Sequence, residues 1–411
     1  MENRKYSLVL LGPTGFTGRF VAEHITQHFP TDLSWALAGR SHRKLHELAA
    51  DLQKLNPDRS PPSIEILELS PEQLQRLAQN TKVIINAIGP YSIHGSVVVE
   101  ASALSGTHYL DFSTETAWIK DVIQKHEKTA KANKSIMIPA IGNSSSPSDL
   151  IAFLLTRQFF ESYGYFPNQI RSSIKMKLNG MSGGSLASVV AVASRYGARN
   201  NFLPRADFLT SNRSLESKPL FTRLFGYTSH PILGSLTTSL TAPGNEVIVH
   251  RSKSLRPDLY SGNLSYQEFM PATGVFQAVL IHLATMVGII LLAFPPFRSL
   301  IDKLRPKESG SGPSREILQD ETIDVDAVAT GRDGQEHGEV RARYQFGGPM
   351  YGHAALLAAE AAMVLLDHDT GAKIEEEKYG FLTPSYLGMA FVERLKKTGV
   401  ILEVGVADNV K

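Results

Sequence analysis

The chain has 411 residues, 42% of them apolar, and carries 42 Lys and Arg against 40 Asp and Glu, a net charge of +2. That length exceeds what one hydrophobic core usually organises, so two domains are expected, and the near-neutral balance, without a basic block or interleaved aromatics, excludes an electrostatic footprint for nucleic acid. Zero cysteines exclude disulfides, thiolate metal sites and cysteine nucleophiles, and suit a reducing compartment.

The apolar run 6–11 reads as a strand, and a strand this early leaves no room for a signal or transit peptide. Gly12-Pro13-Thr14-Gly15-Phe16-Thr17-Gly18 follows and leads into a helical pattern over 19–28. Glycines between a strand and a helix allow a sharp turn, close approach of a pyrophosphate to the backbone and tight helix–sheet packing, while the helix N-terminus offers N–H groups to the phosphates. Gly12, Thr14, Gly15, Phe16, Thr17 and Gly18 are therefore candidate dinucleotide contacts, although the spacing G-x-x-G-x-x-G differs from the commoner G-x-G-x-x-G and ordinary turns use the same residues. A second strand over 33–38 ends in Gly39-Arg40-Ser41, where an NAD-dependent chain places an acid on the ribose hydroxyls. Arg40, with Ser41 beside it, suits the 2′-phosphate of NADPH instead.

Strand candidates at 64–67, 83–88, 109–110 and 136–138 alternate with helical patterns at 71–79 and 97–104. The fold class is α/β, with an N-terminal Rossmann-type doubly wound parallel sheet over residues 1–150. Ligands bind beyond the carboxyl ends of such strands, so Gly89 and Pro90, just after 83–88, are expected to border the cofactor. Hydride transfer needs a group that protonates or stabilises the developing enolate; Tyr91 is the first candidate and His94 the second. Both also suit packing or ribose contact, and water can serve as the proton source.

Residues 151–345 are expected to form a second, α+β substrate domain, opening with a helix over 150–160 and including strands at 170–178 and 246–250. Segment 211–240, rich in Ser, Thr, Gly and Pro, reads as loop. Residues 275–294 contain no charge and precede Pro295-Pro296 and the cations Arg298, Lys303, Arg305 and Lys307. By length this run suits a membrane span, an interfacial helix or a helix buried against substrate. A span would separate the carboxyl-terminal motifs from the cofactor domain and is the disfavoured reading; the other two imply a greasy substrate. Residues 306–313 read as a flexible linker. Alternation at Ile323, Val325 and Ala327, then at Val340, Ala342 and Tyr344 about a turn at Arg332-Asp333-Gly334, reads as a hairpin. Residues 354–366 read as a helix, and 346–411 is expected to pack back on the core.

No metal site is expected: His42 and His46 read as a solvated helix face and His368 as an exposed turn before Gly371. Ser144-Ser145-Ser146 lacks the glycines of a nucleophile elbow and reads as a loop or cap, and Asp149 as a cap or a buried structural acid.

Gly12 to Gly18, Ala38-Gly39-Arg40, Gly89-Pro90-Tyr91, Gly106-Thr107-His108-Tyr109-Leu110-Asp111 and Pro147-Ser148-Asp149-Leu150, in this order, resemble the saccharopine dehydrogenase-like oxidoreductases. Met181-Ser182-Gly183-Gly184, Gly348-Pro349-Met350-Tyr351 and Leu382-Thr383-Pro384 extend the resemblance toward the carboxyl end. Trans-acting enoyl reductases belong to that family, so the resemblance implies NADPH-dependent reduction of a carbon–carbon double bond on a polyketide or lipid-like acyl intermediate, carrier-bound in one variant. Where the family commonly has Gly-Phe-Asp-Ser-x-Pro-Ser-Asp, this chain has Ser144 at the acidic position, and His94 stands where Tyr is frequent. Two alternatives stay open: a lipid- or membrane-associated nucleotide-binding protein without turnover, and a saccharopine dehydrogenase-type imine or amino-acid reductase. The expected location is cytoplasmic, with peripheral contact to a membrane or lipid droplet as a variant; the oligomeric state is left open.

Overall fold

Strands and helices alternate from the start of the chain: β1 (Tyr6–Leu11), β2 (Trp35–Gly39), β3 (Ser63–Ile66), β4 (Thr81–Asn86), β5 (His108–Asp111) and β6 (Ile136–Ile138). In this computed structural model, residues 4–210, 218–308, 310–333, 336–369 and 378–406 are described. The six strands and the late two-residue β13 (Gly380–Phe381) form one parallel sheet in the order β13-β6-β5-β4-β1-β2-β3. Leu8, Val9, Leu10 and Leu11 are all fully buried, as the centre of a sheet covered on both faces requires.

The second sheet is mixed and follows the order β14-β12-β11-β7-β10-β9-β8. Its strands are β7 (Gln169–Lys177), β8 (Thr228–His230), β9 (Gly234–Thr237), β10 (Ser265–Pro271), β11 (Thr322–Asp333), β12 (Glu336–Gly347) and β14 (Ile401–Val406). The alternating residues Ile323, Val325 and Ala327 lie on β11 and Val340, Ala342 and Tyr344 on β12, in an unbroken antiparallel register from Thr322 opposite Gly347 to Asp333 opposite Glu336 that puts Val325 opposite Tyr344 and Ala327 opposite Ala342. All six of these side chains are buried. Gly334 of the expected turn lies outside the described residues. The tail after residue 346 contributes to both sheets, through β13 and β14, and its long helix Met350–Asp369 packs against helix Phe16–His28.

Three expectations need correction. Residues 246–250 are not a strand but the middle of helix Ala242–Leu255. Pro243 starts that helix at a position where its missing N–H costs nothing, and packing against helix Ser145–Tyr163 and β10 overrides the strand preference of Val247, Ile248 and Val249. Within 211–240, the described part holds helix Leu220–Phe225 and the hairpin β8–β9 rather than loop alone; residues 211–217 lie outside the described residues. The stretch 306–313 is no free linker, for it lies on the glycine-rich turn. A Cβ at Gly310 would come 2.8 Å from the Thr14 carbonyl oxygen, and one at Gly312 2.4 Å from the Phe16 ring. The N–H of Gly183 donates to the Ser311 carbonyl at 3.3 Å, tying the same stretch to the second half of the chain. Ser309 is outside the described residues.

Candidate functional site

The turn after β1 is built for close backbone approach. Gly12 takes φ +81°, a left-handed conformation that favours glycine, and a Cβ there would press on Ile88 at 2.5 Å. At Gly18 a Cβ would sit 2.2 Å from the Gly12 carbonyl oxygen, so the first helical turn and the strand end touch directly. Gly15 differs: its imagined Cβ meets the Gly12 oxygen at 3.3 Å and otherwise faces no crowding, which leaves a bare backbone surface at the mouth of helix Phe16–His28. Thr14, Phe16 and Thr17 lie on the same turn. The residues present therefore fit the pyrophosphate of a dinucleotide, with N–H groups of the first turn left for phosphate oxygens.

Arg40 is exposed at the carboxyl end of β2. Ser41 caps helix His42–Leu55, its oxygen accepting from the Lys44 N–H at 3.4 Å. On the other side of β1, Gly89 and Pro90 follow β4, and Pro90 precedes helix Tyr91–Ser105. The first two N–H groups of that helix, Tyr91 and Ser92, each donate at 2.8 Å to the buried Glu115 carboxylate. The capping role of Glu115 needs the fold, because 24 residues separate it from Tyr91.

The two proposed acid–base residues are not brought together. Tyr91 is buried, its ring 5.6 Å from that of Trp118, and its hydroxyl donates to the Asn86 carbonyl at 3.1 Å while accepting from the Phe112 N–H at 3.3 Å. Burial, with Asp111 nearby, pushes its pKa well above the phenol value. In this geometry Tyr91 is a structural bolt between β4 and the turn after β5, with no free proton for a substrate. His94 is half-buried, and its pKa is lowered by burial and by the charge of Arg40. It thus lies within electrostatic reach of Arg40, toward the side of the crevice where a 2′-phosphate would sit.

The second half of the chain covers the crevice. Helix Gly183–Tyr196 approaches so closely that a Cβ on Gly89 would lie 3.3 Å from the Ser188 hydroxyl, and Arg195 donates to the Ser92 carbonyl at 2.7 Å. At the amino end of that helix, the Ser182 N–H donates to the Tyr351 hydroxyl at 2.7 Å, and the Ser185 hydroxyl lies 3.1 Å from it. Tyr351 in turn packs edge-on against Phe16, with ring centroids 4.7 Å apart. Three motifs separated by hundreds of residues therefore meet at the glycine-rich turn.

Behind the crevice lies a polar cluster that sequence reasoning missed. The Ser144 hydroxyl donates to Asn245 Oδ1 at 3.0 Å, and Asn245 Nδ2 donates to Glu268 Oε1 at 2.8 Å. The hydroxyls of Ser148 and Tyr266 donate to Glu268 Oε2 at 2.5 and 3.0 Å. Burial raises the Glu268 pKa to about 7 despite these donors. Asp149 is also fully buried; it accepts from the Ser252 hydroxyl at 2.5 Å and the Ser385 N–H at 2.7 Å, and burial lifts its pKa to about 6. It pins three segments together and faces no open site. The rings of His42 and His46 lie tilted against each other with centroids 4.1 Å apart, and among the described residues no three His, Asp or Glu side chains gather to hold a metal. The side chain of His368 and residue Gly371 lie outside what is described.

Comparison with known proteins agrees with this architecture. Residues 8–138 match the saccharopine dehydrogenase NADP binding domain. The chain is 29% identical to a protein named trans-acting enoyl reductase from Mycobacterium bovis (strain BCG / Pasteur 1173P2), an alignment covering 97% of each chain. A protein of the same name from Mycobacterium leprae (strain TN) is 28% identical over 98% of each. Among solved structures, apo saccharopine dehydrogenase (L-Glu forming) from Saccharomyces cerevisiae shares the fold, with TM-score 0.57, 14% identity and coverage of 98% of this chain and 100% of that one. The glycine-rich turn, its parallel sheet and these matches make the cofactor NADPH, and the chain is an NADP-dependent oxidoreductase whose first domain is similar to the saccharopine dehydrogenase NADP binding domain.

Proposed function

We propose that this oxidoreductase is an enoyl reductase, reducing a carbon–carbon double bond on a polyketide or lipid-like acyl intermediate. The observation that carries the reading is alignment with the named trans-acting enoyl reductases along nearly the whole chain, including the segments that cover the crevice. Bound NADPH supplies the hydride. In this reading Gly12, Thr14, Gly15, Phe16, Thr17 and Gly18 hold the pyrophosphate, Arg40 and Ser41 take the 2′-phosphate with His94 beside them, and Gly89 and Pro90 wall the opposite side. Helix Gly183–Tyr196 excludes water from above, which strengthens polar contacts to developing charge. Because the Tyr91 hydroxyl is engaged on both sides, the proton that completes the reduction comes from solvent water.

Loss of NADPH absorbance with a panel of enoyl thioesters, on coenzyme A and on an acyl carrier, tests the reading. Turnover of enoyl thioesters, with none of a 2-oxo acid plus amino acid, is the expected result; the reverse preference would replace it with imine reduction. A second reading, nucleotide binding without turnover, is favoured by Ser144 at the family's acidic position, and NADPH binding with no turnover of either substrate class would select it.

A further inference from the structure

Helix Val275–Ala293 is inside out relative to an ordinary surface helix. Its inward face runs through Ala278, His282 and Ile289, all buried, and carries the helix's polar attachments: Thr238 and His282 Nδ1 lie 2.8 Å apart, and the Thr237 hydroxyl donates to the Ala278 carbonyl at 2.8 Å. Its outward face runs through Phe276, Leu280, Leu283, Val287, Ile290 and Phe294. Phe276 is 86% exposed and each of the other five more than half. A soluble helix normally turns such residues inward. Neighbouring helices extend the apolar surface with Leu220, Phe221 and Leu224 on one and Leu300 and Leu304 on the other, all exposed.

We propose that this face docks on the surface of a phospholipid bilayer that carries anionic headgroups. The charges point to that occupant. The face itself bears none, while Lys303 and Lys307 are exposed just beyond it and Arg298 and Arg223 lie on the flanking helices. An interfacial helix combines an apolar face with adjacent cations in this way. A helical partner fits less well: the spacing 276, 280, 283, 287, 290, 294 matches a coiled-coil seam, but the flanking positions Gln277, Ala284 and Leu291 on one side and Val279, Met286 and Ala293 on the other carry none of the charges that select a helical partner. A span is also excluded, because the His282 face is fastened to the protein along its length.

Docking would place the crevice close to the lipid. Ile289 clusters with Ala193 of helix Gly183–Tyr196, and Ser188 of that same helix reaches Gly89. One helix, about 10 Å across, therefore separates the docking helix from the cofactor wall. An acyl substrate partitioned into the leaflet would meet the enzyme at this side.

The test is flotation of the full-length protein with vesicles of phosphatidylcholine and phosphatidylserine in a 7:3 ratio, and with pure phosphatidylcholine. It needs no turnover, so it fails or succeeds apart from the enoyl assignment. The wild type is expected to float with the mixed vesicles and less with pure phosphatidylcholine. The combined variant Leu280→Ser, Leu283→Ser, Ile290→Ser should bind at least about tenfold more weakly, with thermal midpoint and NADPH affinity unchanged because these side chains contact little of the protein. Lys303→Ala with Lys307→Ala should abolish the preference for phosphatidylserine. Absence of flotation, or flotation untouched by the triple substitution, would overturn the proposal. So would a wild-type dimer in light scattering that the triple variant converts to monomer, which would assign the face to a second copy of the chain.

Discussion

The two longest apolar helices have opposite fates. Met350–Asp369 is the less apolar of the pair, yet 83% of its apolar window is buried; Val275–Ala293 is the more apolar, yet only 17% is. Hydropathy alone thus ranks them in the wrong order. The difference lies in what surrounds each. The first has helix Phe16–His28 on one side and helix Gly388–Lys396 on another, and its acid Glu360 is answered inside the protein by His24 at 2.9 Å and Arg394 at 2.8 Å. The second has neighbours on its inward face only. One region is covered within the chain, while the other leaves an apolar surface open.

The largest expected effect separates them directly. Leu357→Asp places an unpaired carboxylate at a fully buried position and should cost on the order of 5 kcal/mol or prevent folding. Val287→Asp on the exposed helix should change stability by no more than about 0.5 kcal/mol. Urea unfolding of the two variants decides, and comparable losses would break the contrast.

Glu268 sharpens it from the opposite direction, as a polar group sealed inside while apolar ones stay out. Its folded pKa of about 7 lies above the ordinary 4.5, so the fold favours the neutral form. That contribution is fully present below pH 4.5, declines as pH rises through the window up to 7, and is lost above it; a rise of this size corresponds to ~3 kcal/mol. Glu268→Gln keeps a neutral hydrogen-bonding group and should therefore gain ~3 kcal/mol relative to wild type between pH 4.5 and pH 8. Asp149, held at about 6 by burial, should leave its own decline between pH 3.8 and 6 in both proteins. If the wild type and Glu268→Gln show parallel stability curves in unfolding experiments at a series of pH values, Glu268 does not titrate as its burial requires.

How much of this was legible beforehand depended on whether a residue's neighbours are local. The strand, glycine turn and helix at 6–28 are contiguous, and so is the hairpin of β11 and β12, where alternation alone picks the buried face. Residues 246–250 carry the same β-branched signal, but their conformation is decided by helix Ser145–Tyr163 and β10, remote in sequence. The small-residue composition of 306–313 suggests mobility; in the fold the same smallness lets it lie flat on Thr14 and Phe16. Glu268 carried no motif, and its partner Ser148 is 120 residues away. Tyr91 was placed correctly after β4, but the direction of its side chain is set by Asn86, Phe112 and Trp118 together.

Arg40 belongs with the exposed helix, as a group left open for something outside the chain. Arg40→Ala should weaken NADPH by ~1.5–3 kcal/mol, the value of a charge-assisted hydrogen bond to the 2′-phosphate, and leave NADH nearly unaffected. Calorimetric titration of both nucleotides distinguishes this from a general loss. Equal weakening would remove Arg40 from the 2′-phosphate and class it with the ordinary solvated charges.

Tyr91 belongs instead with the buried helix, because both of its hydroxyl contacts lie within the chain. Tyr91→Phe removes a donor to the Asn86 carbonyl and an acceptor for the Phe112 N–H, leaving two backbone groups to find water or go unpaired. The expected loss is about 1–2 kcal/mol of stability. Because the ring stays and keeps its packing on Trp118, the crevice should hold its shape, and kcat and its pH profile for whichever substrate turns over should match the wild type. A proton donor behaves differently: its removal costs about 10²–10⁴-fold in rate and deletes a limb of the pH profile. A folded Tyr91→Phe variant with such a deficit would move Tyr91 out of the self-contained class, and would mean that its hydroxyl leaves Asn86 and Phe112 when substrate binds.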